Sequence, residues 1–507
     1  MSQQAEYFHN LVAVVREAVR APEHFSLGYN AEASDFVRFN HGQVRQAGQV
    51  RQAKVFLKLI RDGRQAELHL TLAEDLAVDQ QRLIDALEQL RATLPLLPVD
   101  PYLQLNTAQW HSENIRDVAL PDLQNVVEQI GRAAVGLTLT PTLSQRERGL
   151  TGGEFEGLHD ARPGEHSGSN TLPDSPPFGL PLPGERAGVR GEPGVDQEAP
   201  RLDLVGIYAA GPICRGFANS AGALGWHQAN SFNFDFSLFH PNGQAVKANY
   251  AGQVWEHEAF ETRLQQACEQ LQYLGRPLKV LPPGAYRAYL APAAMDEVIG
   301  MLSWGGFSAQ AIASKNSPLQ KLYAGEALLS PLVSWSEQVS DSLSPAFSEE
   351  GYPRRDLTLV REGAADQRLI DSRSAAEYGL VGNGAGAGES PGALQMSAGS
   401  LAQADILERL GTGLYISNLW YLNYSDQPAA RLTGLTRFAT FWVENGRIVA
   451  PVSTMRFDDS VYSLLGDQLE ALTAERELIL SSSTYGERHT SSSLLPGALV
   501  KRLLLTL

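Results

Sequence analysis

The sequence predicts an α+β protein: an amino-terminal helix and antiparallel-sheet domain, then a β-rich, barrel-like carboxyl-terminal domain. Three observations carry this. Apolar residues recur at helical spacing near the amino terminus, a two-residue hairpin signal sits between alternating runs, and aromatic residues alternate with polar ones from Gly411 to Asp459. Residues 4–20 place Phe8, Leu11, Val12, Val15 and Val19 on one helical face. Lys54 to Ile60 and Glu67 to Leu72 flank Asp62-Gly63, a type I′ hairpin signal because both central residues must tolerate positive φ. Helical spacing returns over residues 79–93 through Leu83, Leu87 and Leu90.

Four segments follow. Residues 1–137 form the amino-terminal α+β domain. Residues 138–201 are rich in Pro, Gly, Ser and Arg and carry neither structural period, so they are expected to stay disordered. LTPTLSQRERG and LPLPGERAGVRG within that span resemble translated arms of a DNA inverted repeat, which marks a late insertion. Residues 202–280 read as central strands, through LVGIYAAG, SFNFDFSLFH and AVKANYAG, and a helix from about Glu256 to Leu274. Residues 281–507 form the carboxyl-terminal domain, opening on a short strand with Pro292 in the first turn of the next helix. The echo of VRQAGQ at Val44 in VRQAK at Val50 is too short for a repeat unit and reads as strand alternation.

With 43% hydrophobic and 19% charged residues over 507 positions, the composition is that of a globular protein with room for several cores. A net charge of −16 argues against a nucleic-acid surface, because binding its phosphates requires a concentrated basic face. The amino terminus shows no secretory signal, no run reaches the roughly 18 apolar residues of a membrane span, and Cys214 and Cys268 are too few for a disulfide framework. A reduced, cytoplasmic setting is the expectation.

The block GTGLYISNLWYLNYSDQPAARLTGLTRFATFWVENGRIVAPVSTMRFDD resembles the carboxyl-terminal domain of the TldD/PmbA (TldD/TldE) metalloprotease family. VRFNHGQVRQAG, LVGIYAAG and Ala218-Asn219-Ser220 extend the resemblance in order along the chain. The family's catalytic members carry His-Glu-x-x-x-His on a helix, and here the matching stretch is Asp296-Glu297-Val298-Ile299-Gly300-Met301. Glu297 stands at the motif glutamate, while Asp296 and Met301 stand at the two histidine positions and make them degenerate metal positions. The resemblance also implies a cysteine near the carboxyl terminus, and none follows Cys268. A thioether is a poor zinc ligand, and a catalytic zinc needs about three protein ligands. No metal is therefore expected in this chain.

The resemblance places this chain nearer the metal-free TldE/PmbA-type subunit, although its NLWYLNYSD run departs from the glycine-rich equivalent expected in either branch. It implies a non-catalytic subunit or scaffold of a peptidase acting on unfolded peptides, with zinc in a TldD-like, metal-bearing partner of a heterodimer. Two alternatives stay open: an active metallopeptidase with non-standard ligands, and a homodimeric peptide-binding module without hydrolysis.

Other candidates have plainer readings. Asn423, Asp426, Arg431, Thr433 and Arg437 are polar residues in aromatic, β-rich surroundings, together with Arg456. They suit either internal pairing, with Asp426, Asp458 or Asp459 taking Arg431 or Arg437, or the holding of a peptide backbone or carboxylate. His257-Glu258 lacks a second histidine at zinc-protease spacing, the Gly382–Gly388 run lacks a P-loop lysine, and His227 beside Trp226 reads first as a core histidine.

Overall fold

The structure, a computed structural model, describes residues 2–136 and 202–507; the expected insertion at 138–201 lies outside the described residues. Helix α1, Gln3–Ala18, opens with the Ala5 N–H donating to Ser2 Oγ at 3.3 Å and buries Phe8, Leu11, Val12 and Val15. Val19 already has extended backbone, so it falls outside the helix that its spacing suggests. Helix α2, Leu76–Thr93, starts three residues before its periodic run because Asp75 caps the Val78 N–H at 3.1 Å.

Strands β1 (His24–Asn40), β2 (Gln43–Arg61) and β3 (Arg64–Thr71) form a meander. Asp62 (φ 52°) and Gly63 (φ 68°) make the expected left-handed turn between β2 and β3, and the VRQAGQ echo lies inside β2. Then follow β4 (His111–Arg116), helix α3 (Leu123–Gly136), β5 (Asp203–Asn219), β6 (Leu224–Phe239) and β7 (Ala245–Gly252). The sheet order is β3-β2-β1-β5-β6-β4, with β7 also on β6 and only the β4–β6 pair parallel. β1 pairs with β5 from Ser26↔Asn219 to Phe39↔Gly206, so residues 203–252 complete the sheet begun by residues 24–71. One face packs on α1 and α2 around Tyr29 and Trp226; the other carries Phe232, Phe234 and Phe236 beneath α3 and α4, His257–Leu274.

The carboxyl-terminal half begins with β8 (Gly284–Leu290) and α5 (Pro292–Leu302). Short strands β9 (Trp335–Glu337), β10 (Leu357–Arg361), β11 (Ala364–Ala365) and β12 (Ala393–Met396) lead to β13 (Gly413–Asp426), β14 (Arg431–Glu444), β15 (Arg447–Pro451), β16 (Arg456–Ser460), β17 (Leu469–Leu480) and β18 (Ser492–Leu505). The order β18-β16-β14-β13-β8 closes through a direct β8–β18 pairing, giving the barrel-like ring that the sequence leads one to expect. Gly497 permits the closure, since a Cβ there would lie 2.1 Å from the Tyr289 hydroxyl oxygen. α5 packs on β13 and β18 with Met295, Val298, Ile299 and Leu302 in the core.

One buried cation ties the halves together. Arg488, in the loop between β17 and β18, is 5% exposed. Its guanidinium donates to Ser34 Oγ and the Gly211 carbonyl at 3.2 Å, and to the Ser231 carbonyl and Oγ at 2.9 Å. Its backbone N–H donates to Glu32 at 3.2 Å. Burial pushes the guanidinium pKa down to about 10, opposed by Glu32, so the group remains charged at neutral pH. Arg488→Met should lower unfolding free energy by about 3–5 kcal/mol, because several buried acceptors lose their donors and Glu32 its nearby charge. Denaturant titration of both proteins checks this; a loss below about 1 kcal/mol would show that the clamp is dispensable.

Candidate functional site

Pro292 at the first position of α5 supplies a preset φ and no N–H to satisfy, and the Ala291 N–H before it donates to the Ile416 carbonyl of β13 at 2.9 Å. This fixes the start of α5 against the ring. Asp296 and Glu297 then line a cleft of about 190 Å³, bounded by α4, α5, β6, β7, β13 and β17. Across it, Lys247 of β7 lies 3.5 Å from Asp235 of β6, and Arg263 of α4 lies 2.5 Å from Glu477 of β17.

Every carboxyl group here is shifted upward. Burial raises Asp296, with a hydrogen bond from Ser493 pulling back. Partial desolvation raises Glu297, the neighbouring Asp296 adds to it, and Lys247 opposes. Burial likewise raises Asp235 and Glu477, each held back by its cation. The cleft is thus acidic, with two carboxylates neutralised by ion pairs and two not. Chemically it can accept hydrogen bonds and attract positive charge.

Met301 is not in that cleft. It is 5% exposed, packed among the ring's core residues, and its carbonyl accepts from the Tyr424 hydroxyl at 2.7 Å. Its apolar thioether packs with the core residues of the ring. Among the described residues no group of three His, Cys, Asp or Glu is arranged to hold a metal ion. The donor set around Asp296 therefore does not fit a catalytic zinc.

Residues 283–506 match the family model for the PmbA/TldA metallopeptidase C-terminal domain. This stretch is a PmbA/TldA-type C-terminal domain, which supports placing the chain with the TldD/PmbA family. Its similarity to the Metalloprotease PmbA of Escherichia coli O157:H7 is 32% identity over 112 residues, 22% of this chain and 23% of that protein. Among solved structures, TldE from Thermococcus kodakarensis superposes with a TM-score of 0.69 at 13% identity, covering 99% of this chain and all of that one. A Thermotoga maritima protein described as a suspected modulator of a DNA gyrase gives 0.68 at 15% identity, with 99% and 100% coverage. At such identities the superpositions speak for the fold.

The other residues singled out in the sequence do not line the cleft. Arg431 pairs with Asp458 and donates to its carbonyl at 3.0 Å, Thr433 Oγ1 donates to the Phe457 carbonyl at 2.9 Å, and Asp426 accepts from the Ala429 N–H at 3.2 Å in the β13–β14 turn. Asn423 accepts from the next backbone N–H at 2.8 Å. Arg437 lies 4.1 Å over the Trp420 ring on the exposed face of the hairpin. His257 sits 3.0 Å from Glu261 one turn on, a surface pair at the start of α4. The glycine run leads to the buried Glu389, which accepts from Ser308 Oγ and the Gln310 and Asp371 N–H groups; no helix N-terminus follows it. Sequence reasoning missed Lys247, Arg263, Glu477 and Ser417. The one available signal was Asp235, a charge on the face that alternates with the phenylalanines of SFNFDFSLFH.

His227 is a core residue, as its plainer reading has it. It is fully buried and its Nε2–H donates to the Leu343 carbonyl at 2.8 Å. Burial lowers its pKa to about 4; the Leu343 bond opposes, and Arg116 and Arg215 add to the lowering. Below its unfolded value near 6.5 the unfolded chain takes up a proton that the folded chain refuses, so stability falls as pH drops from about 6.5 to 4, by about 3 kcal/mol in all. His227→Gln should flatten this part of the stability profile in melts at pH 7, 5.5 and 4.5. Parallel profiles for the two proteins would contradict it.

Proposed function

We propose that this chain is a non-catalytic, metal-free subunit or scaffold of a TldD/PmbA-type zinc peptidase, working in the cytoplasm on unfolded peptides with zinc in a TldD-like partner subunit. The observation that carries the reading is the state of α5: the cleft keeps the motif glutamate as Glu297 and a carboxylate at Asp296, while Met301 is turned into the core and, among the described residues, no group of three donors is arranged to hold a metal. The likeness to a protein named Metalloprotease PmbA supports the peptidase setting of this reading. Cys214 and Cys268 are both free and buried, with burial pushing each thiol up to about 12, which suits a reducing compartment.

The ion pairs around the cleft suit a holding role. Lys247–Asp235 and Arg263–Glu477 join β6 to β7 and α4 to β17, so the walls are fixed before a ligand arrives. Asn423, Asp426, Arg431, Thr433 and Arg437 are a second candidate peptide contact on the β13–β14 hairpin, where Trp420 and Tyr421 stand exposed.

Co-expression with a family member bearing His-Glu-x-x-x-His should yield a stable complex that cleaves an unfolded protein substrate. Replacing the partner's motif glutamate should abolish cleavage, and this chain alone should remain inactive with added zinc. Hydrolysis by the isolated chain with zinc, undiminished by chromatography to homogeneity, would refute the subunit reading in favour of an enzyme with unrecognised ligands.

A further inference from the structure

We infer that the α5 cleft receives a protonated primary amine carried by an extended peptide, an inference that rests on the peptide-holding reading above. The charge inventory is the first observation. Of the four carboxylates lining the cleft, Asp235 and Glu477 each have a cation within ion-pair distance, whereas Asp296 and Glu297 have none among the described residues. With Lys247 and Arg263 counted, the lining is left with two negative charges that no protein cation neutralises.

Ser417 of β13 is the second, independent observation. It lines the same cleft, is 6% exposed, and its Oγ is buried with no hydrogen-bond partner. It lies where the β13–β14 register shifts, between Ile416 and Asn418, an irregularity of the kind that re-aims a side chain. A buried hydroxyl left without a partner is costly in a protein interior. An ammonium group brings three N–H donors and one positive charge. Asp296, Glu297 and Ser417 supply three acceptors and the opposing charge from two elements, α5 and β13, that pack directly together.

Size narrows the ligand further. At about 190 Å³ the cleft is smaller than a typical small-molecule pocket and accommodates one residue or chain end of an extended peptide. Tyr289, Tyr415 and Leu480 on its wall offer apolar surface to an aliphatic stem. The amine has two possible sources, the peptide's own amino terminus or a lysine side chain.

The test uses the full chain and three unstructured peptides labelled at the carboxyl terminus: one lysine-free with a free amino terminus, the same peptide N-acetylated, and an N-acetylated version with a single lysine. Binding is read by fluorescence anisotropy. The expected result is at least tenfold weaker binding of the acetylated lysine-free peptide than of one or both amine-bearing peptides; whichever recovers affinity identifies the amine's source. Asp296→Asn with Glu297→Gln, near-isosteric and neutral, should erase the difference while the melting temperature stays near that of the parent. Equal binding of all three peptides by the unaltered chain would overturn the amine inference and leave peptide holding intact. Binding of none of them would overturn both.

Discussion

A buried guanidinium is tolerable only when its donors are satisfied, and Arg488 meets that condition by spanning the two halves of the molecule. It leaves the β17–β18 loop of the ring and ends between β1, β5 and β6 of the amino-terminal sheet, on Ser34, Gly211 and Ser231. Neighbouring contacts follow the same path: Asn233 of β6 donates to the Leu480 carbonyl at 3.1 Å, and Gln52 of β2 to the Gly486 carbonyl at 2.6 Å. These contacts bring the end of β17 against β7, and with it Glu477 against Arg263. The cleft exists because that docking exists. Its walls come from both halves, so neither half alone would form it.

What could be read in the sequence follows the range of the forces involved. α1, the Asp62-Gly63 turn and α4 depend on spacing, caps and φ preferences within a few residues, and they stand where the sequence puts them. The barrel-like closure was legible as a class from the alternating runs. The pairing of β1 with β5 was not, since their partners lie nearly two hundred residues apart and alternation names no neighbour. Arg488 was equally invisible, a lone basic residue in a serine-rich loop that nothing local distinguishes from a solvated one.

The site divides in the same way. Asp296 and Glu297 were identified by resemblance and do share the cleft, whereas Met301, identified in the same way, lies in the core. The pairing of Arg431 with Asp458 was one of the two uses the sequence left open, and cross-strand register brings it about, with Thr433 opposite Asp458. Lys247, Arg263, Glu477 and Ser417 come from four different elements, and only tertiary packing gathers them. A family resemblance carries the motif helix across; it does not carry the wall facing it.

The central claim is that the cleft at α5 has exchanged metal chemistry for the holding of a peptide. Zinc stoichiometry by elemental mass spectrometry, on untagged protein purified without chelator, tests it most directly. The account predicts well below 0.1 zinc per chain, as expected where the donor set falls short of about three protein ligands. A value near one per chain, lost on replacing Asp296 with Asn, would contradict it and make this helix a working metal centre.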